Sequence, residues 1–252
     1  MSENKYFKKI IFWILFVCFL LVEATLYVLI ITKAEYQMPF DVRYAAIIGD
    51  LIFTAVLFLR KGRTVEKILL LLAMVFTAVA DFFLVIRWEQ EEYLIAVLVF
   101  LVAQLLHFAH LSAARASWKG FFISLIVRLL FTGAALIIVK GLDLWEPLNC
   151  FAVAYFTELL MNVVDAGILT FREKRFILAF IGFFLFACCD ITVGLNLIGG
   201  NLGIPERAAD FIAYLTWIFY LPSQVLIVTA TLPALKCPQE ETGEVVPGKG
   251  TE

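Results

Sequence analysis

Eight long apolar stretches separated by short charged loops dominate the sequence. They cover roughly residues 10–32, 44–59, 66–86, 93–113, 119–140, 148–170, 175–198 and 209–234. A helix needs about 20 apolar residues to cross a hydrocarbon core about 30 Å thick. The second stretch is short, so it needs flanking residues or local thinning of the bilayer to span. The sequence therefore predicts an all-α integral membrane protein with eight transmembrane helices.

Composition supports this fold class and argues against nucleic-acid binding. The chain is 63% hydrophobic and 17% charged, whereas a soluble domain is roughly 45–50% apolar and about 25% charged. The net charge of −2 and the lack of a basic stripe are not typical of a nucleic-acid-binding protein. The first apolar stretch follows Lys5, Lys8 and Lys9, but it exceeds the 7–15 residues or so of a signal-peptide core. We predict that it is the first spanning helix.

The distribution of Lys and Arg predicts that both termini are cytoplasmic. With eight spans, one side of the membrane collects 14 of these residues: Lys5, Lys8, Lys9, Arg60, Lys61, Arg63, Lys67, Arg115, Lys119, Arg172, Lys174, Arg175, Lys236 and Lys249. The other side has five: Lys33, Arg43, Arg87, Lys140 and Arg207. Cytoplasmic loops carry the excess of positive charge. We expect a multi-pass protein of a bacterial inner or plasma membrane; its oligomeric state stays open.

Two further expectations concern the organisation of the chain. Residues 1–235 form the transmembrane domain, and the polar, acidic and Pro/Gly-rich tail at 236–252 is predicted to be a disordered cytoplasmic segment. Short matches between the third and seventh helices, and between 100–106 and 220–226, suggest an internal duplication into two four-helix halves. Chance similarity is the alternative for matches of this length.

Polar side chains inside the apolar stretches are the candidate functional residues. An Asp at the centre of a spanning helix costs on the order of 2.5–3.5 kcal/mol on insertion scales, so such residues usually face a cavity or a partner. Six carboxylates are too many for an ordinary helix interface. The complete set is Glu23, Asp50, Asp81, Gln104, His107, His110, Arg128, Glu158, Asn162, Asp165, Asp190 and Gln224.

Four of the acids share one predicted depth. At 1.5 Å rise per residue, Glu23, Asp50, Asp81 and Asp190 lie roughly 8–14 Å below the outer ends of their helices. This indicates a single polar cavity in the outer half of the membrane. The alternative is that some acids, Asp50 above all, extend to the interface. Crowded carboxyls at low dielectric do not all ionise, so one can donate a proton while another accepts one.

The cationic residues leave alternatives open. Arg128, near the middle of the fifth helix, either pairs within the bundle, for example with Glu158 or Asp165, or meets the phosphate of a lipid head group. His107 and His110 share one helical face, but two histidines are few for a zinc site. We predict no metal and no cofactor.

These residues carry a resemblance to the lysoplasmalogenase, or YhhN-like, family of multi-spanning membrane proteins. The family phrase F-S-x-x-G-D-x-x-L is similar to Phe76, Thr77, Ala80, Asp81 and Leu84 here. Two later phrases, G-x-x-x-F-x-x-S-D and Y-x-x-A-Q-x-L-I, resemble two further sets of residues: Gly182, Phe186, Cys189 and Asp190, then Tyr220, Ser223, Gln224, Leu226 and Ile227.

The chain departs from the family pattern at several positions. In the fourth helix the family has F-x-x-A-H-x-x-Y, where this chain has Phe100, Ala103, Gln104 and His107, so the His is a Gln and the Tyr is a His. Ala80 replaces a Gly and Cys189 replaces a Ser. Both aspartates are retained.

The resemblance implies hydrolysis of the vinyl ether bond of a lysoplasmalogen to a fatty aldehyde and a glycerophospho-head group. Asp81 and Asp190 are then the acid and the base, in either order. We expect them to lie within about one water-bridged contact of each other or within reach of one small ligand. Gln104, His107, Tyr220 and Gln224 are expected to line the same cavity, with Glu23 and Arg128 also assigned to substrate binding. The alternatives are a proton- or cation-coupled transporter or lipid-binding protein that uses the same carboxylates, and an inactive family member.

Overall fold

The computed structural model describes residues 3–32, 40–59, 65–87, 90–198 and 205–230. Within these ranges every regular secondary-structure element is a helix. The helices are α1 (Glu3–Thr32), α2 (Phe40–Leu59), α3 (Val65–Asp81) with a π-helical continuation (Phe82–Arg87), α4 (Gln90–Arg115), α5 (Trp118–Gly141), α6 (Pro147–Thr170), α7 (Phe176–Ile198) and α8 (Glu206–Thr229).

The predicted fold class is confirmed. By length and composition alone, seven of the eight described helices can cross a membrane, and α2 is the one that falls outside. The predicted disordered tail at 236–252 lies outside the described residues, and the cytoplasmic location of the termini stays a prediction from the charge count.

Local sequence explains where two helices begin. Ser117 has an extended backbone before α5, and its hydroxyl accepts a hydrogen bond from the Gly120 N–H at 3.2 Å. This satisfies one of the N–H groups that have no partner in the first turn of a helix. Pro147 is in the first turn of α6, where its missing N–H removes no helical hydrogen bond.

Six helices form a closed ring of contacts. Each helix contacts the next in the order α2, α3, α4, α6, α7 and α8, and α8 contacts α2. Helix α1 packs against α2 and α8, and α5 packs mainly against α6. Many large apolar side chains of α1 and α5 are exposed, including Leu21 and Ile137, which is the expected state of a surface that faces lipid.

Helices α7 and α8 approach closely at Gly182. A Cβ added to this glycine would lie 2.9 Å from the Ser223 carbonyl oxygen and 3.0 Å from the Ile227 backbone nitrogen. Only a residue without a side chain permits this distance between backbones, as in other membrane helix pairs. The contact fixes α7, which carries Asp190, against α8, which carries Tyr220.

Candidate active site

Asp81 is the last residue of α3 and lies inside the ring. Its side chain is buried, and Oδ2 accepts a hydrogen bond from the Tyr220 hydroxyl of α8. The helix continues as the π-helical segment Phe82–Arg87. Single π-helical turns are frequent at functional sites, because the extra residue changes the direction of nearby side chains.

Asp190 on α7 forms the matching pair with a second tyrosine. Its Oδ2 accepts a hydrogen bond from the Tyr155 hydroxyl of α6. Asp81 and Asp190 are near enough to interact electrostatically. Within the described residues, no hydrogen bond reaches Oδ1 of either carboxyl group. Each aspartate therefore has one oxygen held by a phenol and one left for a water molecule or a substrate.

Aromatic rings join the two pairs. The Phe100 ring centroid is 5.5 Å from that of Tyr155 and 6.1 Å from that of Phe186, and Phe186 is 5.5 Å from Tyr220. These rings give the carboxyl groups apolar surroundings, in which charge interactions are stronger than in water. They also support the two tyrosines in the orientations that hold the carboxyls.

Sequence reasoning included Tyr220 but missed Tyr155. Tyr155 matches no family phrase quoted above, and an aromatic residue in an apolar helix is usually ordinary packing. One chemical argument could have identified Tyr155 from the sequence. A buried tyrosine usually finds a partner for its hydroxyl, and the intramembrane partners open to it were few.

Glu23 and Asp50 extend the acidic cluster toward α1. Asp50 interacts electrostatically with both Glu23 and Asp81. The Glu23 carboxyl lies against Gly49, where an added Cβ would be 2.7 Å from Oε1. No described residue donates a hydrogen bond to any of the four oxygens of Glu23 and Asp50. The alternative that Asp50 extends to the interface is wrong, because its side chain is fully buried (0% exposed).

The three polar residues predicted beside the aspartates make other contacts. The Gln104 Oε1 accepts a hydrogen bond from Asn162 Nδ2 at 2.9 Å. The His107 ring packs edge-on against Phe183 at 5.1 Å, and neither of its nitrogens has a partner in the described part of the chain. Gln224 donates a long hydrogen bond to Ser223 at 3.4 Å. All three are fully buried, and that they line a common cavity with the aspartates stays a prediction.

His110 does not share its contacts with His107. Its Nδ1 lies 2.9 Å from the Glu66 carbonyl oxygen at the start of α3. This contact holds α4 to α3 near the end of the bundle away from Asp81.

Arg128 lies in a separate buried cluster. Its Nη1 donates to Glu158 Oε2 at 2.5 Å, and its Nη2 donates to Asp165 Oδ2 at 2.7 Å and to Asn162 Oδ1 at 2.9 Å. Its Nε donates to Ser124 at 3.4 Å. This is the pairing within the bundle that the sequence left open. Because all three guanidinium nitrogens are engaged, Arg128 has no nitrogen left for a substrate phosphate.

A protein-family model matches the part of the chain that contains both tyrosine–aspartate pairs. Residues 50–231 match the model of the YhhN family. The chain belongs to the YhhN family. No curated protein and no solved structure matches it. The resemblance found in the sequence is thereby confirmed at the level of the family. Of the acidic cluster, Asp50, Asp81 and Asp190 lie within the matched residues and Glu23 lies before them.

Proposed function

We propose that this membrane protein hydrolyses the vinyl ether bond of a lysoplasmalogen, giving a fatty aldehyde and a glycerophospho-head group. The observation that carries the proposal is the pair of carboxyl groups of Asp81 and Asp190, which are near enough to interact electrostatically. Each has one oxygen held by a tyrosine and the other unengaged. Membership of the YhhN family supports it.

The chemistry requires one protonated and one ionised carboxyl. The protonated aspartate transfers its proton to the β-carbon of the vinyl ether, and the ether oxygen shares the resulting positive charge. The new carboxylate stabilises this oxocarbenium ion across a medium of low dielectric. Proton donation by a positioned side chain is general acid catalysis.

Water then adds to the carbon next to the oxygen while the second aspartate takes the proton of the water. The product of this step is a hemiacetal. In its collapse the second aspartate returns its proton to the glycerol oxygen, and the first takes the proton of the hemiacetal hydroxyl. The C–O bond breaks, aldehyde and alcohol leave, and both carboxyls regain their starting states. No outside proton source is needed.

The test measures aldehyde release by the purified protein from a lysoplasmalogen and from the matching saturated ether lipid. Only the vinyl ether can form a resonance-stabilised cation on protonation, so only it is expected to react. Asp81→Asn and Asp190→Asn should each lower kcat by about 10²–10⁴-fold, the range for loss of one acid or base. Asp143→Asn is the matched control, since Asp143 is exposed near the end of α5 and has a φ of 59°, which asparagine also adopts. Full activity in both site variants would contradict the proposal.

A second candidate, a proton-coupled transporter, is favoured by the buried carboxyls of Glu23 and Asp50. Their oxygens have no partner in the described residues, and acids of this kind in membranes often mark proton pathways. Proton flux into liposomes that contain the protein, with no aldehyde release from any lysoplasmalogen, would favour this candidate.

A further inference from the structure

Arg43 lies in the first turn of α2, against an aromatic residue of α8. Its guanidinium carbon is 5.0 Å from the centroid of the Trp217 ring. This is a cation–π distance, and the delocalised guanidinium suits such stacking. The Arg43 side chain is half-buried. It is therefore held in position and still reachable from outside the bundle.

Two chains of contacts connect Arg43 to Asp81. On α8, the Trp217 ring packs edge-on against Tyr220 with 6.0 Å between centroids, and Tyr220 donates to Asp81. On α2, the next residue, Tyr44, donates a hydrogen bond to the Ala78 carbonyl oxygen at 3.1 Å, less than one turn before Asp81 on α3. Arg43 is thus placed by the same helices that form the acidic cluster.

The end of the bundle where α3 and α7 end and α4 and α8 begin is called the outer end here. Of the other described cations at this end, Arg207 is exposed in the first turn of α8, and Arg87 and Lys140 are also arranged differently from Arg43. Arg87 forms an ion pair with Glu92 at 3.2 Å, and its side chain is half exposed. Lys140 is exposed on α5, which packs against α6 outside the ring. Neither has the connection to Tyr220 that Trp217 gives to Arg43.

We infer that Arg43 binds the phosphate group of the lysolipid substrate while the vinyl ether lies at Asp81 and Asp190. The inference rests on the proposed function. A guanidinium offers paired N–H donors to phosphate oxygens. The start of α2 adds N–H groups and the positive end of a helix dipole. In the substrate, three glycerol carbons separate the ether oxygen from the phosphate ester oxygen. In the protein, the rings of Trp217 and Tyr220 connect Arg43 to Asp81.

This arrangement makes the phosphate, and not the group attached to it, the feature that Arg43 recognises. Ethanolamine and choline head groups carry the same phosphodiester, so Arg43 does not distinguish them. A 1-alkenylglycerol has the reacting vinyl ether without the phosphate. It is therefore expected to be a poorer substrate because of weaker binding, with the chemical step retained.

The experiment compares a 1-alkenyl-glycerophosphocholine with a 1-alkenylglycerol as substrates of the purified full-length protein. Arg43→Gln should raise KM for the phosphate-bearing lipid by about tenfold or more, as expected for loss of a charged hydrogen bond. The rise for the alkenylglycerol should be much smaller. Arg43→Lys should recover part of the loss, because lysine keeps the charge without the paired donors. Lys140→Gln, which removes an outer-end charge away from the site, should leave both substrates unaffected.

Each outcome has a distinct meaning. An equal change in KM for both substrates, or none for the phosphate-bearing lipid, would overturn the phosphate assignment and leave the hydrolase proposal intact. Aldehyde release from neither substrate by the unaltered protein would contradict the hydrolase proposal itself. Inorganic phosphate that inhibits the unaltered protein, combined with an unchanged lipid KM in Arg43→Gln, would overturn the lipid assignment in favour of a free-phosphate site. Residual turnover of the alkenylglycerol by Arg43→Gln shows that the variant is folded.

Discussion

Tyr155 on α6 donates a hydrogen bond to Asp190 on the neighbouring helix α7. Tyr220 on α8 donates to Asp81 on α3, and α2 lies between α8 and α3 in the ring. The sequence match between 100–106 and 220–226 aligns Phe100 with Tyr220. Phe100 has no hydroxyl, and its ring packs against Tyr155 at 5.5 Å. Helix α6 therefore supplies the hydroxyl that residue 100 lacks. The internal duplication itself stays a prediction.

Removal of either tyrosine hydroxyl should slow the reaction without unfolding the protein. Tyr155→Phe and Tyr220→Phe keep the ring contacts and remove a hydrogen bond to a carboxyl, worth about 1.5–3 kcal/mol when the acceptor is charged. We expect kcat for aldehyde release to fall by about 10–100-fold with little change in KM. Tyr27→Phe on α1 is the control, since within the described residues the Tyr27 hydroxyl makes no hydrogen bond. Unchanged kcat in both site variants would show that the hydroxyls do not position the acids.

Arg128 should be a determinant of stability and not of substrate affinity. Arg128→Gln removes the cation that pairs with the buried Glu158, whereas Asp165 keeps its ion pair with Arg115 at 2.5 Å. Loss of one partner of a buried ion pair costs about 3–5 kcal/mol. Thermal unfolding in detergent should show a clear drop in Tm. Lys140→Gln on the same helix removes an exposed charge and should leave Tm nearly unchanged. An unchanged Tm combined with a raised KM would instead return Arg128 to the substrate site.

Replacement by alanine should affect the stability of the protein differently at two glycines of α7. Gly182→Ala places a methyl group 2.8 Å from Ile227 Cγ1 and 2.9 Å from the Ser223 carbonyl oxygen, so α7 and α8 must separate. We expect a loss of stability of about 1–3 kcal/mol, as for other overpacked sites. Gly194→Ala meets nothing within 4 Å and should be neutral or slightly stabilising. Equal Tm values for the two variants would contradict the close contact at Gly182.

The charge count predicts that Glu252 and Glu91 lie on opposite sides of the membrane. Single cysteines at these positions, in a background without the native cysteines, should differ in labelling by a membrane-impermeant thiol reagent. With both termini cytoplasmic, the cysteine at position 91 reacts in intact cells and the one at 252 reacts only after permeabilisation. Labelling of both from the same side would exclude the predicted topology, because the five spans predicted between the two positions, an odd number, place them on opposite sides.

The sequence by itself determined the membrane-spanning helices and the identity of the acidic residues. Apolar stretches of spanning length have few alternatives to helix, since backbone groups in lipid must satisfy their hydrogen bonds locally. The high cost of an intramembrane carboxyl singled out Asp81 and Asp190 for the same reason. Helix length and the presence of a charge are properties of a single segment, and both can be predicted without knowledge of the neighbouring helices.

Only the tertiary structure decided which polar residues meet. Arg128 was open to a lipid phosphate or to Glu158 and Asp165, and the contact of α5 with α6 selects the ion pairs. Asp50 was open to a shared cavity or to the interface, and the packing of α2 against α3 buries it near enough to Asp81 to interact electrostatically. Tyr155 becomes a partner of Asp190 because α6 lies next to α7 in the ring. The side-chain partners across helices depend on the order and rotation of the helices, which the hydropathy of each stretch does not specify.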